Sequence, residues 1–256
     1  YINDIVPILL IIIRMPLLIA LVLLGLLTIL FFPKETKSFK EIHFSIMMFW
    51  MRCLAFILGV EIDIRGKPDT SADLFVSNHV TYLDIIIINK LLPVNFIAKD
   101  EIASWPIIGS LASKTGTLFI KRGHNTESTK MINEMEKRFR LKNKIFFFPE
   151  GKIGNGKRIK KFHYKLFKSI ENKKLYIQPI AIRYPRDYPK NNNYSEIVSA
   201  KSEKGEMLSL YLKFLTRRKS HVILIFLDKV STRDYKNETI TNVLADKINH
   251  ALDDLN

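Results

Sequence analysis

A histidine and an aspartate five residues apart are the first candidates for chemistry in this chain. His79 follows a predicted buried strand, and Asp84 would lie on the first turn of a predicted helix. In that geometry the carboxylate can fold back and accept a hydrogen bond from one imidazole nitrogen, which leaves the other nitrogen as a base. The arrangement is a dyad without a protein nucleophile. Taken alone, the same spacing is also compatible with a structural pair.

Three further blocks place charged or turn-forming residues at the ends of predicted strands. The block GTLFIKR delivers Arg122 to a strand end, and the block FPEGK holds Glu150 in a turn after a buried strand. The block IQPIAI is a strand interrupted by Pro179. Each block also has an ordinary structural explanation: an edge strand protected by charge, an ion pair of the glutamate with neighbouring lysines, and an edge or bulge at the proline.

The remaining pattern predicts an α/β fold that would position these blocks. Short β-branched or aromatic runs alternate with helical stretches, which is typical of a mainly parallel central sheet flanked by helices. Residues 184–200 are rich in Pro and Asn and are predicted to form a surface loop. We expect strands at 62–64, 74–77, 95–98, 117–120, 145–148, 176–182 and 222–227. We expect helices at 82–90, 107–114, 126–141, 165–172, 206–216 and 239–255.

An N-terminal apolar segment precedes this domain. Residues 15–32 are uncharged and mostly apolar, and as a helix they would extend about 27 Å, close to the thickness of a bilayer's hydrocarbon core. A second apolar run at 5–13 is separated from them by Arg14 and Pro16, which favours a broken pair of helices over one straight helix. A buried core helix and a cleaved signal are the alternatives. The long uncharged stretch and the lack of a small-residue cleavage motif disfavour both.

The charges around this segment predict its orientation. Three lysines within 34–40 follow the apolar run, and the positive-inside rule would place this flank and everything after it in the cytoplasm. Residues 39–60 are apolar with a few interspersed charges, which suits a helix that lies in the membrane interface or re-enters one leaflet. We therefore expect membrane-anchoring helices over residues 1–60 and an α/β domain over residues 61–256.

Composition limits the class of protein. The chain has 256 residues, 47% of them hydrophobic, and a formal net charge of +15. Its single cysteine, Cys53, excludes an intramolecular disulfide scaffold and a cysteine-rich zinc site. Neither a dinucleotide-binding fingerprint nor a Walker-type loop is present. Residues 142–174 hold eleven Lys and Arg but two Glu, which favours anionic headgroups or a phosphorylated substrate over nucleic acid, although a solvated lysine-rich face would give the same count.

Taken together and in this order, the four blocks resemble the signature of the glycerolipid acyltransferase family, which includes the bacterial 1-acyl-glycerol-3-phosphate acyltransferases. The family pattern runs NHxxxxD, GxxFIxR, FPEG and a V-P-I-like strand, and this chain shows all four blocks within residues 74–183. The loop after FPEG looks like the FPEGTTS type of one subgroup. The resemblance implies a membrane-bound O-acyltransferase of phospholipid biosynthesis.

The resemblance also implies a role for each matching residue. His79 would be the general base that deprotonates the acceptor hydroxyl, and Asp84 would fix its tautomer and orientation. The acceptor oxygen would then attack an acyl thioester directly, without an acyl-enzyme. Arg122 would bind the anionic head of the acceptor, and the strand at Pro179 would help to build the acyl side. The other implied acceptor-site residues are Gly116, Phe119, Glu150, Gly151 and Lys152.

The resemblance names the partners as well. The acceptor would be 1-acyl-glycerol-3-phosphate, which acylation converts to phosphatidic acid, and the donor would be acyl-CoA or acyl carrier protein. We expect membrane lipids as partners, with no nucleic acid, no metal and no further cofactor. The expected location is the bacterial inner membrane, with the catalytic domain facing the cytoplasm.

One departure from the family pattern concerns the acceptor head group. Many family members continue FPEG with Thr-Arg, whereas this chain has Lys152 and Ile153. Lys152, Lys157 or Arg158 could supply a point charge instead, or the acceptor could carry a head other than a phosphate monoester, as a lyso-ornithine lipid does. Outside this class, a non-catalytic basic module would explain the charge but not the acids and the histidine, and a hydrolase could use the same dyad.

Overall fold

The computed structural model describes residues 2–32, 41–121, 125–154, 156–187, 191–194, 212–235 and 239–255. Its strands are β1 (Val60–Arg65), β2 (Leu74–Ser77), β3 (Val94–Lys99), β4 (Leu118–Ile120), β5 (Lys144–Phe147), β6 (Tyr176–Arg183), β7 (Pro185–Asp187), β8 (Asn191–Tyr194), β9 (Ser220–Phe226) and β10 (Val230–Ser231). Eight of them form one sheet in the order β1-β9-β6-β2-β5-β3-β4, with β10 beside β6.

The strands β2 to β6 are parallel to one another, so their carboxyl ends meet at one edge of the sheet. We call it the C-terminal edge. Strand β9 is antiparallel to β6 and parallel to β1, so these two strands begin at the same edge. The predicted mainly parallel α/β sheet is confirmed. Each predicted strand is present, with ends that differ by at most two residues.

Helices cover both faces of this sheet. They are α1 (Ile2–Thr28), α2 (Glu41–Ile57), α3 (Leu83–Leu91), α4 (Ile108–Lys114), α5 (Asn125–Arg140) and α6 (Thr239–Asp253), with 3₁₀ segments at Ile29–Phe31, Asp100–Ser104 and Tyr164–Ile170. A short helical segment spans 212–216. The residues 206–211 of the predicted helix 206–216 lie outside the described residues. The predicted helix 165–172 is a 3₁₀ segment, a tighter form that suits a short connection.

Alternation along the central strands divides the core into two apolar clusters. Phe75 of β2 and Phe146 of β5 pack with α1, α2 and α3 on one face. Leu74 and Val76 point to the other face, where they pack with α5 and α6. Because every second residue of a strand faces the same side, a sheet buried on both faces needs these continuous apolar runs. The division of the chain at residue 60 stays a prediction, since α1 and α2 share a core cluster with the sheet.

The N-terminal helix differs from the predicted broken pair. α1 is one helix that continues through Pro7 and Pro16. Each proline removes one backbone donor, and the other helical bonds persist. Arg14 does not interrupt the helix either, because its guanidinium donates to the carbonyl oxygens of four residues in 214–218 at 2.5 to 3.1 Å. The segment Ile5–Phe31 is long and apolar enough to cross a membrane: an 18-residue window within it has a mean hydropathy of 2.8, and 17% of that window is buried.

Two smaller expectations are also corrected. The predicted loop 184–200 contains the antiparallel pair β7 and β8, with Pro185 at the first position of a short strand, where a missing amide donor is tolerated. Pro179 lies in the interior of the sheet and not at an edge. It sits where the pairing of β6 with β9 ends and the pairing with β10 begins, and its carbonyl oxygen accepts from the Leu227 amide at 3.0 Å.

Candidate active site

The C-terminal edge of the sheet brings His79 and Asp84 into contact. β2 ends just before the histidine, and the aspartate lies on the first turn of α3. The imidazole Nδ1 is 2.8 Å from the carboxylate Oδ2. The histidine side chain is 13% exposed, whereas the aspartate side chain is completely buried. The five-residue spacing therefore does produce a histidine held by a buried acid and reachable from the surface.

Asp84 is held by donors on both oxygens. The backbone amides of Val80 and Thr81 donate to Oδ2 at 2.7 and 3.0 Å, and the Tyr184 hydroxyl donates to Oδ1 at 2.7 Å. An ionised carboxylate accepts and does not donate, so this network assigns the proton of the pair to His79 Nδ1. The other ring nitrogen, Nε2, then carries a lone pair that can accept a proton.

The FPEG turn supports the histidine from the neighbouring strand. The imidazole of His79 stacks on Phe148, with ring centroids 3.9 Å apart and planes inclined by 10°. The His79 amide donates to Glu150 Oε1 at 2.9 Å, and its carbonyl oxygen accepts from the Gly154 amide at 2.7 Å. A side chain at position 154 would lie 2.8 Å from Glu150 Oε2. The turn therefore fixes both the ring and the backbone of the histidine.

Glu150 is the predicted acceptor-site residue that the structure brings into contact with His79. Burial raises the pKa of the Glu150 carboxyl above its ordinary value, opposed by the hydrogen bond from the His79 amide. Gly151 has a φ of +70°, a backbone conformation that favours glycine. The contact of Glu150 supports the histidine, and a direct role of either residue in binding the acceptor stays a prediction.

The remaining predicted residues lie around this centre or outside the described part. Lys152 is exposed, next to the FPEG turn, and Phe119 is half-buried in β4. Gly116 is buried with a φ of +88° at the turn between α4 and β4. Arg122 lies outside the described residues. Ile153, which stands where many family members have arginine, is partly buried and packs on the apolar cluster of α1, α2 and α3.

Three supporting residues were given no individual role in the sequence prediction. Tyr184 gave no signal, because it lies 100 positions from the aspartate that it contacts. Phe148 was predicted as the end of a strand and serves as the stacking partner of His79. Asn78 is 2% exposed, and its carboxamide makes two hydrogen bonds of 2.8 Å to the backbone of Ile182. Through these two bonds the Asn78 side chain holds the end of β2 against β6, one residue before the histidine. The sequence signal that could have indicated this role is the position of Asn78 between the end of the strand and His79.

An apolar cavity of about 200 Å³ lies beside this centre. It is enclosed by α1, α2, α3, β3, α4 and the connections around α4. On and just before α3 it is lined by Tyr82, Ile85, Ile86 and Asn89, a three-to-four spacing that selects one helix face. The cavity-facing side of α3 begins at Tyr82, three residues after His79 in the chain. Pro179 is not among the residues that line the cavity, and its predicted part in the acyl side stays a prediction.

Comparison with known proteins identifies relatives of the central part of the chain. Residues 62–183 match the family model described as Acyltransferase. A lyso-ornithine lipid O-acyltransferase from Pseudomonas aeruginosa is 37% identical over 140 residues, which are 54% of this chain and 53% of that protein. A 1-acyl-sn-glycerol-3-phosphate acyltransferase from Neisseria gonorrhoeae is 29% identical over 127 residues, 50% of each chain. The chain thus matches about half the length of these curated relatives.

A solved structure shares the fold over almost the whole chain. The 1-acyl-sn-glycerophosphate (LPA) acyltransferase PlsC from Thermotoga maritima superimposes with a TM-score of 0.70 at 14% sequence identity. The match covers 99% of this chain and 97% of that one. The comparison confirms the α/β fold with its N-terminal apolar helix.

Proposed function

We propose, from the match of residues 62–183 to the acyltransferase family model, that the protein transfers a fatty acyl group from an acyl thioester to the free hydroxyl of a lysolipid. One observation carries the proposal: His79 lies 2.8 Å from a buried aspartate whose two oxygens are held by three further donors. This arrangement leaves one imidazole nitrogen as a base at the C-terminal edge of the sheet.

The proposed reaction is one direct transfer. His79 Nε2 takes the proton of the acceptor hydroxyl as the oxygen attacks the thioester carbonyl carbon. The tetrahedral intermediate then expels the thiolate, which takes the proton from the imidazolium, so an ester and a free thiol leave the enzyme. Asp84 stabilises the imidazolium charge and keeps the ring in its tautomer. A positioned base of this kind contributes about 10²- to 10⁴-fold, and holding both reactants together contributes much of the rest.

We propose that the apolar cavity holds a fatty acyl chain. It has the apolar lining that such a chain needs, and its α3 face starts beside the His79 turn. Burying apolar chain surface there contributes roughly 25 cal/mol per Å². The assay described below compares acyl-CoA with acyl carrier protein as the carrier of the donor chain.

For the acceptor, a lyso-ornithine lipid is our first candidate. Ile153 packs into an apolar cluster, so no guanidinium stands at that position. The relative with 37% identity is also named for that acceptor. The second candidate is 1-acyl-glycerol-3-phosphate, favoured by the cations of the basic segment 142–174 and by the relative with 29% identity. Since Lys152 is exposed beside the site, a phosphate has a point charge within reach of the same turn.

We propose that α1 and α2 attach the protein to a membrane. α2 exposes Ile42, Phe49 and Phe56, which recur every seven residues and so share one face. α1 exposes apolar side chains along most of its length, while its inner face packs on the same core cluster as the sheet. Lipid would cover these exposed apolar faces. By the positive-inside rule the domain would face the cytoplasm.

The experiment is an acyl-transfer assay with purified protein in lipid vesicles. Both lysolipids are offered with acyl-CoA and with acyl carrier protein as donors. We expect His79→Ala to lower kcat by at least about 10³-fold while the protein stays folded. His250→Ala, which changes an exposed histidine of α6, is the matched control and should leave turnover unchanged. Turnover at the normal rate in His79→Ala would refute the proposal, and exclusive use of 1-acyl-glycerol-3-phosphate would reverse the order of acceptors.

A further inference from the structure

The wall of the apolar cavity contains a buried polar atom that has no partner among the described residues. Asn89 lines the cavity and is 6% exposed. Its carboxamide oxygen is buried and has no hydrogen-bond partner among the described residues. Buried amides are nearly always hydrogen-bonded, because an unpaired one destabilises the fold. The amide is therefore suited to a partner that enters the cavity.

Other polar groups in the same wall are satisfied by the protein. Thr28 Oγ1 donates to the Leu24 carbonyl oxygen at 2.7 Å, and Thr115 Oγ1 donates to that of Leu111 at 2.9 Å. Trp50 Nε1 donates to a carbonyl oxygen of α1 at 2.9 Å. Among the lining residues of the cavity, Asn89 is the one with a fully buried side-chain oxygen that no described donor satisfies.

The position of Asn89 indicates which part of a ligand it would meet. It lies seven residues after Tyr82 on the cavity-facing side of α3, so it is about 10 Å farther from the His79 turn. An acyl chain whose thioester lies at His79 would bring the middle of the chain, and not its carboxyl end, to this depth. The group that pairs with the amide must therefore be a substituent along the chain.

We infer that the cavity selects fatty acyl chains that carry a hydroxyl group near mid-chain, and that Asn89 is the residue that recognises it. This inference rests on the proposed function of the cavity as the acyl-chain site. A hydroxyl both donates and accepts, so it matches the carboxamide in either orientation of its oxygen and nitrogen. A plain chain would leave the amide unpaired in an apolar site, and sites built for a hydrogen bond discriminate against ligands that cannot make it.

Binding can be measured without turnover, because the two tryptophans of the chain, Trp50 and Trp105, both line the cavity. The probes are palmitic acid and palmitic acid hydroxylated near mid-chain, each titrated against intrinsic fluorescence. We expect the hydroxylated acid to bind about 10-fold more tightly to the wild-type protein. Asn89→Leu should abolish the preference and bind palmitic acid at least as well. Ile85→Val, a cavity change without a polar group, should keep the preference.

The result is separable from the proposed function. Equal affinities of the wild-type protein for the two acids, or a preference that survives in Asn89→Leu, would overturn the inference. The acyl-transfer assay is then repeated with both chains as thioesters, and the same 10-fold preference should appear in kcat/KM. Transfer of both chains without a preference would refute the role of Asn89 but not the proposed function. Absence of transfer to every acceptor would refute the proposed function. In that case the binding measurements would still decide whether the cavity prefers the hydroxylated chain.

Discussion

Tyr184→Phe tests whether the candidate site depends on the buried acid. The substitution removes the hydroxyl that donates to Asp84 Oδ1 at 2.7 Å, in a side chain with no exposed surface. Because the acceptor is a buried carboxylate, we expect the free energy of unfolding to fall by about 2 kcal/mol. For a chain of this size that corresponds to a decrease in Tm of about 4–8 °C. Thermal unfolding followed by circular dichroism measures it.

Activity provides the second measurement on the same variant. Tyr184 acts through Asp84 and has no access to substrate, so we expect kcat to fall about 10-fold with KM unchanged. The matched control is Tyr164→Phe, which removes an exposed tyrosine hydroxyl bonded to the carboxylate of Glu171. The control should lose no more than about 0.5 kcal/mol of stability and no activity. If both variants behave alike, the buried hydrogen bond does not organise the site and the reasoning is wrong.

Three further substitutions probe the supports of the site. Asn78→Ala removes both hydrogen bonds to Ile182 and should lower the free energy of unfolding by about 3 kcal/mol, measured in denaturant. Arg14→Leu leaves four carbonyl oxygens without their donor and should cost about 3 kcal/mol in the same assay. Because burial raises the pKa of Glu150, stability should fall as pH rises from the ordinary glutamate pKa through the raised one. Glu150→Gln keeps an acceptor for the His79 amide but has no carboxyl to titrate. In this variant the free energy of unfolding, measured as a function of pH, should no longer show that decrease.

Each of these has a control on the surface. Arg65→Leu removes an exposed arginine paired with Asp63 and should change the free energy of unfolding by less than about 0.5 kcal/mol. Equal losses of stability in Arg65→Leu and Arg14→Leu would contradict the role of Arg14 as an anchor of α1. Glu101→Gln alters an exposed glutamate and should keep the wild-type pH profile. Parallel profiles for the wild type and Glu150→Gln would count against the burial of that carboxyl. An unchanged unfolding midpoint in Asn78→Ala would show that its two bonds add nothing.

The contact between His79 and Asp84 could be predicted because it is local. The two residues flank a strand end and a helix start, and both boundaries follow from the change in apolar periodicity. The strands were predictable for a similar reason, since a sheet buried on both faces requires short continuous apolar runs such as the one at 145–148. The GTLFIKR prediction remains open at its decisive residue, because Arg122 lies outside the described part of the chain.

The parts that sequence reasoning missed depend on distant contacts. Tyr184 reaches Asp84 because β6 lies beside β2 in a particular register, which no local pattern encodes. The continuity of α1 was mispredicted because Arg14 and Pro16 together were taken to favour a break between two apolar runs. Its partners in 214–218 lie about 200 residues away in the chain. Ile153 was recognised as a departure, but only packing shows that its side chain belongs to the core.

The anchoring of Arg14 has a consequence for how this contact can be detected in an alignment. All its acceptors are main-chain carbonyl oxygens, and every amino acid type supplies one. The hydrogen bonds therefore place no requirement on the side chains at 214–218, whereas they require the guanidinium at position 14. Methods that infer proximity from correlated substitutions would find no signal for this pair, even though it ties the first helix to the end of the sheet.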